Sequence, residues 1–271
     1  MPETFLAPKE PRNLKATAGV CAFFLLVYAV GSWQWTFSPK RGLGLAFGML
    51  AALLFAFLGA YPFRRPRARP LGTARNWIQA HVYLGVVACL AVLIHGGFSL
   101  PNGGMGWWLL LLTLWTTASG LAGVWLQKWI PSTIAQGLRV EALYERIPEL
   151  VDRLREESDA LAAEASETLE SFYRRDVRPA MSGPSPSWSY LLDVRAGRER
   201  ALQPFENIRR FVSEEDQVRA RELMSIYTEK LELDAQYRLQ RVLRHWLVAH
   251  TPAAALLAAL VLVHIASWLW Y

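Results

Sequence analysis

Five stretches of this 271-residue chain are long and apolar enough to cross a bilayer, at roughly 16–37, 42–63, 77–99, 105–130 and 246–271. A helix needs about 20 such residues to span the hydrocarbon. Lipid offers no partner for a free backbone N–H, so these runs dictate uninterrupted helix. The rest of the chain is of a different kind. Residues 1–127 and 245–271 together carry 10 basic and 2 acidic side chains, whereas 128–244 carry 19 and 21. The expected architecture is all-α: an integral membrane five-helix protein, with transmembrane helices 1–4 within 1–130, a helical, hairpin-like insert over 131–244, and a fifth transmembrane helix over 245–271 completing the bundle. This division excludes a single soluble globule and a disordered chain. Membrane lipid is an expected partner and nucleic acid is not, because the positive excess lies beside the apolar runs.

Basic residues in short loops set orientation. The 64–76 loop, RRPRARPLGTARN, has five Arg and no acid, while 100–106, LPNGGMG, has no charge. This places the N-terminus, the Arg-rich loop and the insert in the cytoplasm and the C-terminus outside. Lys40 and Arg41 in the first outer turn oppose that bias, two against five. Trp33, Trp35, Trp107, Trp108, Trp125, Trp129, Trp268 and Trp270 lie near span ends, where indoles anchor at the lipid–water boundary. The first apolar run is longer than a signal-peptide core and has no small-residue cleavage site, so it is expected to be retained.

Within the insert, Leu143, Ile147, Leu150, Val151, Leu154 and Leu161 recur at mostly helical steps, with Pro148 interrupting or restarting the helix. Residues 179–188, PAMSGPSPSW, have linker composition. A second pattern starts at Ser213, an N-cap followed by acids at the positive helix end, and carries Val218, Leu223, Ile226, Leu233, Tyr237 and Val242 toward the fifth span. Two antiparallel helices are expected. Gly137, Gly183 and Gly197 are too scattered to cradle a dinucleotide, and there is no P-loop. Cys21 and Cys89, both in apolar runs, form no CxxC or CxxCH, which leaves a disulfide framework, a cysteine zinc site and covalent haem attachment unsupported.

The histidines carry the chemistry. Of five, His81 and His95 lie 14 residues apart in the third span, and His250 and His264 lie 14 apart in the fifth. Fourteen residues turn a helix through about four turns less 40° and rise about 21 Å. Each pair therefore projects from nearly one face at two depths. Spans three and five run in the same direction, so His81 comes level with His250 and His95 with His264. Imidazoles facing each other across a bundle suit the axial positions of haem iron, and ionisable groups in spans are functional candidates. Two haem b groups are the expected cofactors, with His81, His95, His250 and His264 as iron ligands. Gly85 and Gly96 offer clearance for the macrocycle, though small residues in spans also serve helix packing. Arg75 and Arg244 stand below the inner pair and offer charge to haem propionates. His245, at the membrane edge, has no partner at matching spacing. Direct zinc or iron binding by the four imidazoles fails, because histidines about 21 Å apart on one helix cannot share an ion.

RNWIQAHVYLGVVACLAVLIHGGF, SGLAGVWLQKWIP, ALYERIP and RVLRHWLVAHTP followed by HIASWLWY resemble a bacterial group of membrane dihaem cytochromes b, within the cytochrome b561-like and ferric-reductase-like transmembrane families. The likeness covers roughly 70–271. It implies the same four haem ligands and the role of an electron-transfer subunit in an oxidoreductase complex, working across the bilayer between a quinol or partner redox subunit and an acceptor on the other side. Partners of that kind are cytochrome c, an iron–sulfur or flavin protein, and quinone. Ferric reductases append a flavin- and nicotinamide-binding region, and this sequence carries none, so electrons are expected from elsewhere. The alternatives are a haem-free membrane anchor or scaffold whose insert binds partners, and a ferric or quinone reductase acting alone.

Overall fold

The computed structural model describes residues 12–34, 37–60, 74–137, 144–184 and 194–270. Every regular element among them is helical: α1 (Arg12–Gln34), α2 (Gly42–Gly59), α3 (Ala74–His95), α4 (Gly104–Gly137), α5 (Ile147–Ala163), α6 (Glu167–Phe172), α7 (Val194–Ile208) and α8 (Glu214–Trp270). Five of these helices, α1 to α4 and α8, are long and apolar enough to cross a membrane. The chain divides into two compact units, one of residues 1–128 with 245–271 and one of residues 129–244.

In the first unit, contacts fix the helix directions. Asn13 at the start of α1 donates to Gln79 early in α3 (3.1 Å), and Tyr28 Oη near the end of α1 donates to the Gly97 carbonyl just after α3 (3.2 Å). These two helices are parallel. α2 runs against α3, since Phe57 near its end stacks on Trp77 near the α3 start, at 5.3 Å between centroids. α4 runs against the last part of α8: Trp115 Nε1 donates to the Ala249 carbonyl (3.4 Å) and Trp246 Nε1 to the Ser119 carbonyl (2.7 Å). Phe47, Ala51, Ala91 and Ile94 form a buried core between α2 and α3.

The end of α3 is set by a glycine. Gly97, at φ +62°, takes a left-handed conformation open to few other residues. Its N–H bonds the Ile94 carbonyl (2.8 Å) and the Phe98 N–H bonds the Leu93 carbonyl (2.9 Å). This is the paired closure that satisfies the orphan carbonyls of a helix terminus, and it leaves His95 in the final turn.

The 129–244 unit departs from the expected two-helix insert. Pro148 stands in the first turn of α5, where it costs no hydrogen bond. After α6, a π turn (Tyr173–Val177) and a 3-10 turn (Arg178–Met181) follow. α7 is an additional helix. Its Phe205 is buried, with Leu202 and Ile208 packed beside it, three apolar residues at three-residue steps in an otherwise polar segment. The core joins Ile147, Val151, Leu154, Leu169, Phe172 and Tyr173 to Leu223, Ile226 and Leu233 of α8. The Ser213 hydroxyl accepts from the Asp216 N–H (3.2 Å), as an N-cap should. Val218 is exposed; the inward face runs through Asp216, Ala220, Leu223, Ile226 and Lys230 instead. Lys230 is buried because it pairs with Asp234 one turn on (2.5 Å). The 179–188 segment lies partly, and the 64–73 run wholly, outside the described residues. α8 continues without a break past Pro252 to Trp270.

Candidate functional site

The structure brings the four span histidines together as two pairs. The His81 and His250 rings lie side by side with centroids 6.5 Å apart and planes 66° apart, and those of His95 and His264 with centroids 6.3 Å apart and planes 81° apart. Both pairs join α3 to α8, and in both the histidines stand level, since the two segments run in parallel. Among the described residues no group of three or more His, Cys, Asp or Glu side chains could hold a metal ion. The imidazoles come together two by two, and two is the ligand number that a porphyrin-bound iron leaves to a protein.

The spacing can be tested against coordination geometry. An imidazole nitrogen binds a metal at about 2 Å and lies about 1.2 Å from its own ring centre, so two imidazoles trans across one iron have centres about 6.3 Å apart. The two observed separations fall within a few tenths of an ångström of that value.

Hydrogen bonds settle which nitrogen is available on two of the rings. His95 Nδ1 lies 2.8 Å from the Gly44 carbonyl of α2. A carbonyl only accepts, so Nδ1 carries the proton and Nε2 presents a lone pair. His250 Nδ1 lies 2.9 Å from Ser119 Oγ of α4. The Ser119 hydroxyl donates to the Thr116 carbonyl (3.2 Å), which leaves its oxygen to accept from His250 Nδ1–H. Nε2 is again the free ligand atom. The Trp246 ring lies over His250 at 5.5 Å and 23°.

Glycines make this packing possible. A Cβ on Gly48 would stand 2.6 Å from His95 Nδ1, and one on Gly120 would stand 3.6 Å from His250 Cε1. Gly123 gives the Trp246 indole its place, since a Cβ there would overlap the ring. Around Gly85, one turn from His81, nothing among the described residues lies within 4 Å of an added Cβ. Gly96 has a different setting: its Cβ would meet only backbone carbonyls, at 3.7 to 3.8 Å, in the turn that closes α3.

The two arginines fare differently from the four histidines. Arg244 belongs to the other unit, where its guanidinium pairs with Glu145 and lies 4.2 Å from the Tyr144 ring centre. A backbone hydrogen bond within Glu145 itself, and after it the Arg244 contact, hold the Glu145 carboxyl below its ordinary pKa. Arg244 thus already has an anion partner in Glu145. The Arg75 side chain lies outside the described residues. His245 is exposed and joins neither pair.

Gly44, Gly48, Ser119 and Trp246 were not singled out by sequence reasoning as site residues. Their only signals are small residues one helical turn apart in α2 and a Ser–Gly step in the middle of an apolar run, patterns shared with ordinary helix packing. Comparison of the chain with family models, curated proteins and solved structures finds no match.

Proposed function

We propose that this chain is an integral-membrane dihaem cytochrome b, holding one haem b between His81 and His250 and a second between His95 and His264. The observation that carries the reading is the pair of imidazole separations, 6.5 and 6.3 Å, each matching what one bis-ligated iron requires. The chemistry supplied by each bound haem is a reversible one-electron couple. The chain's part is to present four imidazoles, hold two of the rings through Gly44 and Ser119 so that Nε2 is the free nitrogen, and keep water out of the bundle. The levels lie about 21 Å apart along the helices, so the two sites together span most of a hydrocarbon core about 30 Å thick.

The resemblance to the cytochrome b561-like and ferric-reductase-like families supports the same role: an electron-transfer subunit between a quinol or partner redox subunit and an acceptor on the other side. We place it in a bacterial cytoplasmic membrane. Helix directions put the starts of α1 and α3 and the Lys128–His245 junctions at one end of the bundle. The sequence 64–75 joins that end and carries five Arg, which favours it as the cytoplasmic one.

The test is a reduced-minus-oxidised spectrum with a pyridine haemochrome assay on protein made under haem-replete conditions. Two non-covalent b-type haems per chain, both removed by acidic acetone, are expected. Haem-free protein would favour the membrane anchor or scaffold instead, and one haem per chain would overturn the pairing.

A further inference from the structure

The two histidine pairs have the same spacing but are not held in the same way. His95 bonds a backbone carbonyl, which stays in place when the side chain of the residue supplying it is changed. His250 bonds a hydroxyl that is itself held on both sides: the Ser119 O–H is used on the Thr116 carbonyl (3.2 Å), and the Ser119 carbonyl accepts the Trp246 indole N–H (2.7 Å). Trp246 then stacks on the His250 ring, in the space that Gly123 leaves for it. Ser119 is thereby tied to His250 twice, once through the hydrogen bond to Nδ1 and once through the indole that covers the ring.

We propose that Ser119 and Trp246 are positioning residues that set the tautomer, orientation and basicity of His250, and so tune the redox potential of the His81–His250 haem alone. The inference rests on the dihaem reading. The physical reason is that an acceptor on Nδ1–H gives the imidazole more anionic character, which strengthens its bond to ferric iron more than to ferrous. Removing the acceptor weakens the ferric form and raises the potential. A tenfold loss in relative ferric affinity reads as a rise of about 59 mV for one electron. The other pair serves as the internal control, about 21 Å away along the helices.

The experiment is a spectroscopic redox titration of the purified full chain and of Ser119→Ala, Ser119→Thr and Trp246→Phe, with the haems told apart by which one His81→Leu removes. The expected result is a tenfold shift toward the reduced form in Ser119→Ala, confined to the His81–His250 haem. Ser119→Thr, which restores a hydroxyl, should return toward wild type. Trp246→Phe, which keeps a ring but loses the N–H donor, should shift the same haem less. Two haems in every variant with unchanged potentials, or equal shifts in both haems, would overturn the positioning role and leave the dihaem reading standing. Wild-type protein without haem would overturn both. Should Ser119→Ala fail to assemble, Trp246→Phe carries the test alone: a rise in the one haem supports the proposal and no rise refutes it.

Discussion

Alanine at position 48 sets two effects against each other, one on the fold and one on the site. A Cβ built on Gly48 lies 2.6 Å from Nδ1, 2.8 Å from Cε1 and 3.3 Å from Cγ of His95. Non-bonded heavy atoms rest at about 3.5–4.0 Å, so the imidazole must retreat by about 1 Å. That retreat takes the 2.8 Å bond from His95 to the Gly44 carbonyl beyond the reach of a hydrogen bond. Without a metal the ring swings aside at little expense, and α2 gains roughly 1 kcal/mol because alanine is a better interior helix residue than glycine. With a metal the ring has nowhere to go, because ligand distances tolerate only about 0.2 Å. Loss of a partner behind a ligating histidine costs about 10–100-fold in metal affinity, and a displacement of the ligand itself costs more. Gly48→Ala should therefore leave helical content, and the thermal stability of the haem-free chain, unchanged or slightly raised, while the haem-to-protein ratio of the loaded protein falls from two toward one. The haem retained should be the one that His81→Leu removes. A variant with two haems and an unaltered spectrum would refute the argument, since the close approach of Gly48 to His95 would then have no consequence.

Three further outcomes follow from the same geometry. Replacing His81 or His250 by Leu should remove one haem, and replacing His95 or His264 the other; His81→Leu with His250→Leu should cost no more than either alone, whereas His81→Leu with His264→Leu should empty both sites, and His245→Leu should retain both in the same haemochrome assay. Cysteines placed at 182–187, in a background lacking Cys21 and Cys89, should be labelled only from the cytoplasmic side and a C-terminal tag reached only from outside; the opposite pattern would invert the proposed orientation. In the 129–244 unit, Asp159 accepts from Arg178 Nε (2.9 Å) and Tyr173 Oη (2.8 Å), and the Arg178 bond above all holds its carboxyl below the ordinary range. A depressed folded-state value adds stability that is fully present above about pH 4 and is lost as pH falls through the lowered pKa. Asp159→Asn should flatten that acid limb of a melting-temperature profile, and a profile overlaying wild type would remove the carboxylate from the account.

Much of the architecture was legible because lipid simplifies the problem. A run such as 246–271 has no option but helix, so length and polarity suffice. The histidine pairs were legible for a related reason: equal spacing on two helices of the same direction leaves one level pairing. The insert was less legible. Among the described side chains of α7, Leu202, Phe205 and Ile208 make the apolar face, and Pro204 inside it argues against a helix. Val218 was expected inward, yet Asp216 and Lys230 occupy the buried face because Arg219, Ser166 and Asp234 satisfy their charges. Tertiary partners decided these positions, and no local pattern announces them. The supports of the site were hidden in the same way. Gly44 acts through its carbonyl and Gly48 through the absence of a side chain, and both become visible only once α2 is known to lie against His95.

The number fourteen itself has a physical reading. An α-helix drifts by about 20° per seven residues from a strict 3.5-residue repeat, so two heptads carry a residue about 40° off its starting face. A left-handed crossing of about 20° absorbs that drift and keeps both residues on the seam between two parallel helices. Eleven residues would end only about 20° off the face of a straight helix but rise only about 16 Å, and eighteen would rise about 27 Å and bring both levels to the headgroups. Fourteen gives about 21 Å, which leaves each level a few ångströms inside its own boundary. His81 and His95 on α3 and His250 and His264 on α8 share that interval, so every lateral partner on one helix has a partner at the same height on the other. Equal height does not make the levels equivalent. One ring is held by a backbone carbonyl in the last turn before Gly97 ends α3, and the other by the hydroxyl of Ser119 under an indole. The repeat sets where the histidines meet, and the neighbouring helices α2 and α4 hold one ring of each pair through a hydrogen bond.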